Sequence, residues 1–322
     1  MFLESLQALI KADMQAVDRV IRSRLHSEVV LIRQISDYII GSGGKRLRPM
    51  LVLLSAGLFS YRGTRQHELA AIVELIHTAT LLHDDVVDDS ELRRGQKTAN
   101  ALFGNAASVL VGDFLYSRAF QMMVDVGLMP VMALLSEATN VIAEGEVLQL
   151  LNVHDADITE ERYLRVIRYK TAKLFEAATR LGAILGDSSP AEEQAMASYG
   201  IHLGTAFQLI DDVLDYSGDN QQTGKNVGDD LAEGKPTLPL IYAMQRGTPD
   251  QALVVRRSIQ QGGLVEIDQV IAAIRDTGAL DDAKRRAQHE ADAACAALGP
   301  LPDSTYKNSL LELAAFAVSR TY

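Results

Sequence analysis

Apolar residues recur at three- and four-residue spacing almost everywhere along this chain, and strict alternation is found almost nowhere. That period marks an apolar stripe on an α-helix rather than one face of a strand. It predicts helices over residues 3–23, 27–41, 47–60, 66–89, 98–125, 130–152, 159–186, 190–218, 237–246, 249–260, 264–276, 278–298 and 304–320. Breaks fall at the expected punctuation: GSGG at 41–44, RRGQ at 93–96, Pro130, Asp157 through Thr159, SSP at 188–190, GTPD at 247–250 and GPLPD at 299–303. Pro49 suits a first helical turn, where its missing donor costs nothing. No linker, low-complexity tract or convincing internal repeat divides the sequence, so residues 1–322 read as one all-α domain. The longest stretch with little period is SGDNQQTGKNVGDDLAEGKPT, 217–237. It is polar and punctuated by glycine, as lids and binding loops often are.

Two of the apolar helices end in the same acidic pattern, Asp-Asp-x-x-Asp: Asp84, Asp85 and Asp88, then Asp211, Asp212 and Asp215. Residues four apart share a helix face, so each motif presents paired carboxylates. Two such faces turned toward each other would form a carboxylate wall. Like charges about 6 Å apart repel by roughly 2 to 3 kcal/mol at an effective dielectric near 20. Hard divalent cations, magnesium above all, relieve that repulsion and in turn hold phosphate oxygens. The pair of motifs therefore points to a magnesium diphosphate site.

Composition narrows the partners. Apolar residues make up 48% of the chain and aromatics only 6%, without tryptophan, which favours a globular helical protein. A net charge of −11 argues against nucleic acid. Cys295 is the only cysteine, so no intrachain disulfide forms and a reducing cytoplasm is the expected compartment. The N-terminus lacks the basic start of a signal peptide, and no apolar run is long enough for a membrane span.

Basic clusters accompany the acidic motifs. GGKRLRP supplies Lys45, Arg46 and Arg48; ELRRGQ supplies Arg93 and Arg94; RYKTAKLFE supplies Lys170, Thr171 and Lys173. Lys225 and Lys235 lie in the long loop, Gln208 shares a face with Asp211, and His77 shares one with Asp84. Guanidinium forks and ammonium groups are the usual partners of phosphate oxygens. GSGGKR is not a Walker loop, because Arg46 stands where serine or threonine is needed. His154 and His202 show no partner pattern, and the last 80 or so residues carry no nameable chemistry on a helical reading.

Taken jointly, GGKRLRP, LIHTATLLHDDVVDDSELRRG, YKTAKLF, GTAFQLIDDVLDY and GKNVGDDLAEGKPTLPL resemble the trans-isoprenyl diphosphate synthases, and among them the long-chain, octaprenyl-type enzymes. The pieces occur in the family's order and cover most of residues 40–240. The resemblance implies the isoprenoid synthase fold, a single large helical bundle around a deep central cavity. It implies that Asp84, Asp85, Asp88, Asp211, Asp212 and Asp215 bind magnesium, typically three ions, and with Lys170 and Lys225 form the catalytic set. Arg93, Lys170, Thr171, Gln208, Lys225 and Lys235 would hold the allylic diphosphate; Lys45, Arg48, His77 and Arg94 would hold isopentenyl diphosphate. A homodimer is implied as well, with peripheral membrane contact conceivable at product release.

Ala79 and Thr80 lie about one helical turn, roughly 5.4 Å, before Asp84. Small side chains there leave a cavity open, so a long product is expected. Its floor is expected on helix 98–125, with Phe120, Met122 and Met123 as a wall and Met123 contributing to the stop. Two rivals remain on sequence alone. His83-Asp84 suggests an HD-type metal phosphohydrolase, and a regulatory prenyl synthase subunit would be non-enzymatic, although both acidic motifs here are complete. Product lengths of eight, nine or ten units stay open, as does the primer, with farnesyl diphosphate favoured.

Overall fold

The all-α expectation holds. The computed structural model describes residues 2–41, 43–93, 95–217 and 227–320. Its helices begin with α1 Phe2–Arg24, α2 Val30–Gly41, α3 Leu47–Leu58 and α4 Arg65–Val87. They continue with α5 Ala99–Phe103, α6 Asn105–Val126, α7 Met129–Asn152, α8 Glu160–Ile167, a π-turn Arg168–Ala172, α9 Lys173–Leu185 and α10 Pro190–Asp215. After a short α11, Asp229–Ala232, come α12 Leu238–Arg246, α13 Pro249–Gln261, α14 Ile267–Asp276, α15 Ala279–Ala297 and α16 Thr305–Ser319. Among the described residues no helix is long and apolar enough to cross a membrane.

Three departures from the periodicity matter for chemistry. The helix expected over 98–125 is two helices, because Gly104 adopts φ 86° and ψ 156°, a conformation open to glycine alone at little cost. The helix expected over 159–186 changes to π geometry at 168–172, a feature often met at functional sites. After α4, a two-residue hairpin pairs Leu92 with Lys97 and Arg93 with Gln96. It folds Arg93 back toward the end of α4, which closes at Asp88 with Asp89 in the left-handed region at φ 50°.

The chain divides into two compact units. The first comprises Met1–Thr139, Leu174–Gly200 and Leu298–Glu312. Its centre is α4, where Leu69, Ala70, Ala71, Ile72, Val73, Leu75 and Ile76 are all at 0% exposure. A helix apolar on every side must be surrounded, and α1, α3 and α6 pack around this one. Each large aliphatic side chain fully buried there contributes roughly 1.5–3 kcal/mol. Glu74 interrupts the run, held by Arg46 at 2.7 Å.

The second unit comprises Asn140–Lys173, Ile201–Ala297 and Leu313–Tyr322. Its core joins Tyr163, Leu164 and Ile167 of α8, Leu209, Ile210 and Val213 of α10, and apolar faces of α12 to α15. Gly145 of α7 lets that helix touch the π-turn backbone: a Cβ there would lie 2.5 Å from the Lys170 nitrogen.

Candidate active site

In the first unit, α4 carries the first acidic motif at its C-terminal end. Asp84 and Asp88 are half-buried, and the Asp88 N–H donates to the Asp84 carbonyl at 2.8 Å. Asp85 is fully buried and accepts from Arg93, Nη2 at 2.6 Å and Nε at 2.8 Å, through one oxygen, Oδ1. Its other oxygen, Oδ2, is buried without a hydrogen-bond partner. Burial raises the Asp85 pKa above its ordinary value against the pull of Arg93, with Asp84 and Asp88 adding to the rise. Arg94 lies outside the described residues.

The other picks in this unit sit on α3, α4 and α6 or the loop before α3. Lys45 and Arg48 are half-buried on either side of the α3 start, and the Arg48 guanidinium stacks 4.7 Å from the Phe175 ring centre. His77 is half-buried, and its carbonyl accepts from the Thr80 hydroxyl at 2.8 Å. Ala79 and Met122 are fully buried, and Met123 is buried too, while Thr80 and Phe120 are half-buried. His83 turns to the other helix: its ring meets the Val109 carbonyl at 3.2 Å and the Asp113 carboxylate at 3.3 Å.

In the second unit, the structure gathers several of the predicted residues into one chain of hydrogen bonds. Thr171 on the π-turn donates to the Gln208 carbonyl oxygen at 3.1 Å. Gln208 donates its amide to Asp212 Oδ1 at 2.8 Å. The Tyr163 hydroxyl donates to Asp212 Oδ2. Tyr163 was not visible from sequence, since nothing in the pattern of α8 says that its ring reaches an aspartate on α10. Burial, followed by the nearby charge of Asp230, pushes Asp212 up to about 8. Burial and Asp212 together push Tyr163 well above the usual phenol range.

The remaining groups have protein partners. Asp211 pairs with Arg320 at 2.6 Å, an arginine the sequence reading did not single out. Asp215 accepts the backbone N–H groups of Asp229 and Asp230, each at 3.2 Å. Lys170 pairs with Glu146 at 2.6 Å and Lys235 with Glu233 at 2.5 Å. Of the long loop, residues 218–226, including Lys225, lie outside the described residues.

Among the described residues, no group of three or more His, Cys, Asp or Glu side chains is arranged around a metal-sized space. Asp85 and Asp211 are turned toward Arg93 and Arg320, Asp215 toward backbone amides, and Asp212 toward Tyr163 and Gln208. Their chemistry nonetheless suits a hard divalent cation: all are oxygen donors, and the buried Asp85 Oδ2 has no hydrogen-bond partner.

The chain matches the polyprenyl synthetase family over residues 29–275. It is 56% identical over 321 residues to the octaprenyl diphosphate synthase of Escherichia coli strain K12, covering 99% of each. It is 46% identical over 320 residues to the all-trans-nonaprenyl-diphosphate synthase (geranyl-diphosphate specific) of Rhodobacter capsulatus, covering 99% of this chain and 98% of that one. Its fold superposes with a TM-score of 0.95, at 46% identity, on the polyprenyl synthase of Caulobacter crescentus CB15 solved with calcium and isoprenyl diphosphate, over 99% of this chain and 98% of that one. The same matches remove the HD-type phosphohydrolase reading. With identity of this order along the whole length and the same all-α fold, the chain belongs to the polyprenyl synthetase family.

Proposed function

We propose that this protein is a long-chain all-trans polyprenyl diphosphate synthase with an octaprenyl product, destined for a quinone side chain. It extends an allylic primer, farnesyl diphosphate being favoured, by head-to-tail addition of isopentenyl diphosphate. The observation that most supports the eight-unit length is the 56% identity, over 99% of both chains, to an octaprenyl diphosphate synthase.

Asp84, Asp85, Asp88, Asp211, Asp212 and Asp215 hold magnesium, three ions in all. Magnesium bound there would supply positive charge to offset what grows on the diphosphate as the carbon–oxygen bond breaks. Arg93, Lys170, Thr171, Gln208, Lys225 and Lys235 hold the allylic diphosphate. Lys170 adds a point charge beside a site that Thr171 and Gln208 orient. Lys45, Arg48, His77 and Arg94 hold isopentenyl diphosphate, with Arg48 stiffened by its stacking on Phe175. The isopentenyl double bond attacks the allylic cation, and the departing diphosphate accepts the proton lost afterwards. The loop over 217–237 excludes water, which would quench the cation to an alcohol. A deep central cavity takes the growing chain, with Ala79 and Thr80 leaving its upper part open and Met123 contributing to its floor.

Residues 1–322 act as one domain in this reading, and α10 supplies residues to both compact units. The protein works as a cytoplasmic homodimer with peripheral membrane contact at product release. The purified chain alone, given farnesyl and isopentenyl diphosphates with magnesium, is expected to yield an eight-unit product by mass spectrometry after dephosphorylation. A nine-unit product would move the length assignment. Phosphate release without elongation, or no activity without a second polypeptide, would overturn the reading.

A further inference from the structure

Glu290 stands outside all of these assignments. It lies on α15 in the C-terminal part of the chain, and its side chain is 2% exposed. Three groups converge on its carboxylate: Arg168 Nη2 at 3.2 Å, Arg286 Nη2 at 2.8 Å and His202 Nδ1 at 2.5 Å. Burial alone would favour the neutral acid. Instead His202, Arg286 and Arg168 outweigh it and hold Glu290 below the usual carboxylate range. A buried charge of this kind is a poor way to gain stability, since apolar packing of the same volume serves as well or better. Where such clusters are kept, fixing a register is their best-attested use.

The register here is specific. Arg168 opens the π-turn that carries Lys170 and Thr171. His202 is on α10, upstream of Gln208, the residue that accepts from Thr171. Glu290 thus grips the two elements that carry the Thr171–Gln208 contact, through Arg168 on the π-turn and His202 on α10, one with each oxygen. On its opposite side the π-turn is fixed by Gly145, which allows backbone contact at Lys170, and by the Glu146–Lys170 pair. A π-turn inserts an extra residue into the helical ladder, so the residues it carries depart from the register an ordinary α8–α9 run would give them.

We infer that Glu290 is a positioning residue: by clamping Arg168 and His202 it sets the π-turn against α10 and so aims Lys170 and Thr171 at the allylic diphosphate. This rests on the proposed function for the identity of the ligand, but the geometry is independent of product length. It also gives the C-terminal part of the chain a task in substrate binding.

The test uses the full chain with Glu290→Gln, Arg168→Gln and Arg286→Gln. Arg168 is half-exposed, so its variant reports even if loss of the buried carboxylate impairs folding. Glu290→Gln and Arg168→Gln are expected to raise KM for the allylic diphosphate about tenfold, with the isopentenyl KM unmoved, because a shift of about 1 Å in a binding group has effects of this order or larger. Arg286→Gln removes a Glu290 contact that does not touch the π-turn and is expected to leave both KM values unchanged. Adding Glu290→Gln to Thr171→Ala is expected to cost less than it does alone, because both act on one contact. Calorimetry with inorganic diphosphate and magnesium is expected to show the same ranking of variants. A fall in kcat with both KM values unmoved, equal effects of Arg286→Gln and Glu290→Gln, or strict additivity would overturn the assignment. A wild-type chain that never elongates farnesyl diphosphate would overturn the proposed function instead, and the diphosphate ranking would still decide the role of Glu290.

Discussion

The two aspartate signatures differ little in sequence and greatly in surroundings. The first ends α4 in the open: Asp84 and Asp88 are half-buried, and Asp85 alone is deep, with one oxygen on Arg93 of the adjoining hairpin. The second is woven into its unit. Asp211 reaches Arg320, Asp212 takes hydrogen bonds from Tyr163 and Gln208, and Asp215 caps the backbone of Asp229 and Asp230. A guanidinium answers one aspartate in each motif, Arg93 at Asp85 and Arg320 at Asp211, while burial at Asp212 favours the neutral acid. One motif behaves as a receptor kept ready, the other as part of the framework that aims its neighbours.

Isosteric amides separate these characters most strongly. Asp85→Asn and Asp212→Asn are each expected to lower turnover by roughly 10²- to 10³-fold, the scale of losing one well-placed electrostatic group. Their stabilities should diverge in metal-free thermal melts. Asp85→Asn strips Arg93 of its partner and is expected to destabilise by about 1 kcal/mol, discounted because Arg93 is partly exposed. Asp212→Asn removes an ionisable group from a buried place and is expected to be neutral or stabilising. Equal losses would erase the distinction.

Product length is expected to answer to the first motif's helix and not to the second's. Ala79→Tyr should give a much shorter product by mass spectrometry, and an unchanged length would refute the cavity geometry. Met123→Ala is expected to shift the distribution toward longer chains; no shift removes Met123 from the floor. A smaller effect is expected from Tyr163→Phe, which deletes one donor to Asp212: about 1 kcal/mol, or roughly fivefold in turnover. A separate signal is in pH. With its pKa raised from 3.8 to about 8, Asp212 favours folding below its unfolded value and withdraws that contribution as pH rises toward 8. Metal-free wild type should therefore lose stability relative to Asp212→Asn between about pH 4 and 8, as followed by denaturant midpoints.

Local rules made much of this legible. Helical periodicity located α4 and α10, and the doubled acidic pattern at their ends pointed to the chemistry before any fold was in view. Arg93 was chosen for its charge, yet only the hairpin explains how it reaches back to Asp85. The break at Gly104 inside the helix expected over 98–125 was not legible, because sequence does not display φ. The π-turn was hidden since RYKTA at 168–172 holds neither proline nor glycine to mark a change of helical geometry. Tyr163, Arg320 and Glu290 escaped for another reason. Each acts on a residue distant in the chain, and periodicity carries no information about which faces meet.

The absent side chain at position 145 has a consequence for how this enzyme tolerates change. Because α7 meets the π-turn main chain at position 145, the Lys170 amide is held at a distance that leaves no room for a side chain between them. A single methyl at 145 would therefore force α7 or the turn to give way and carry the ammonium arm's anchor with it.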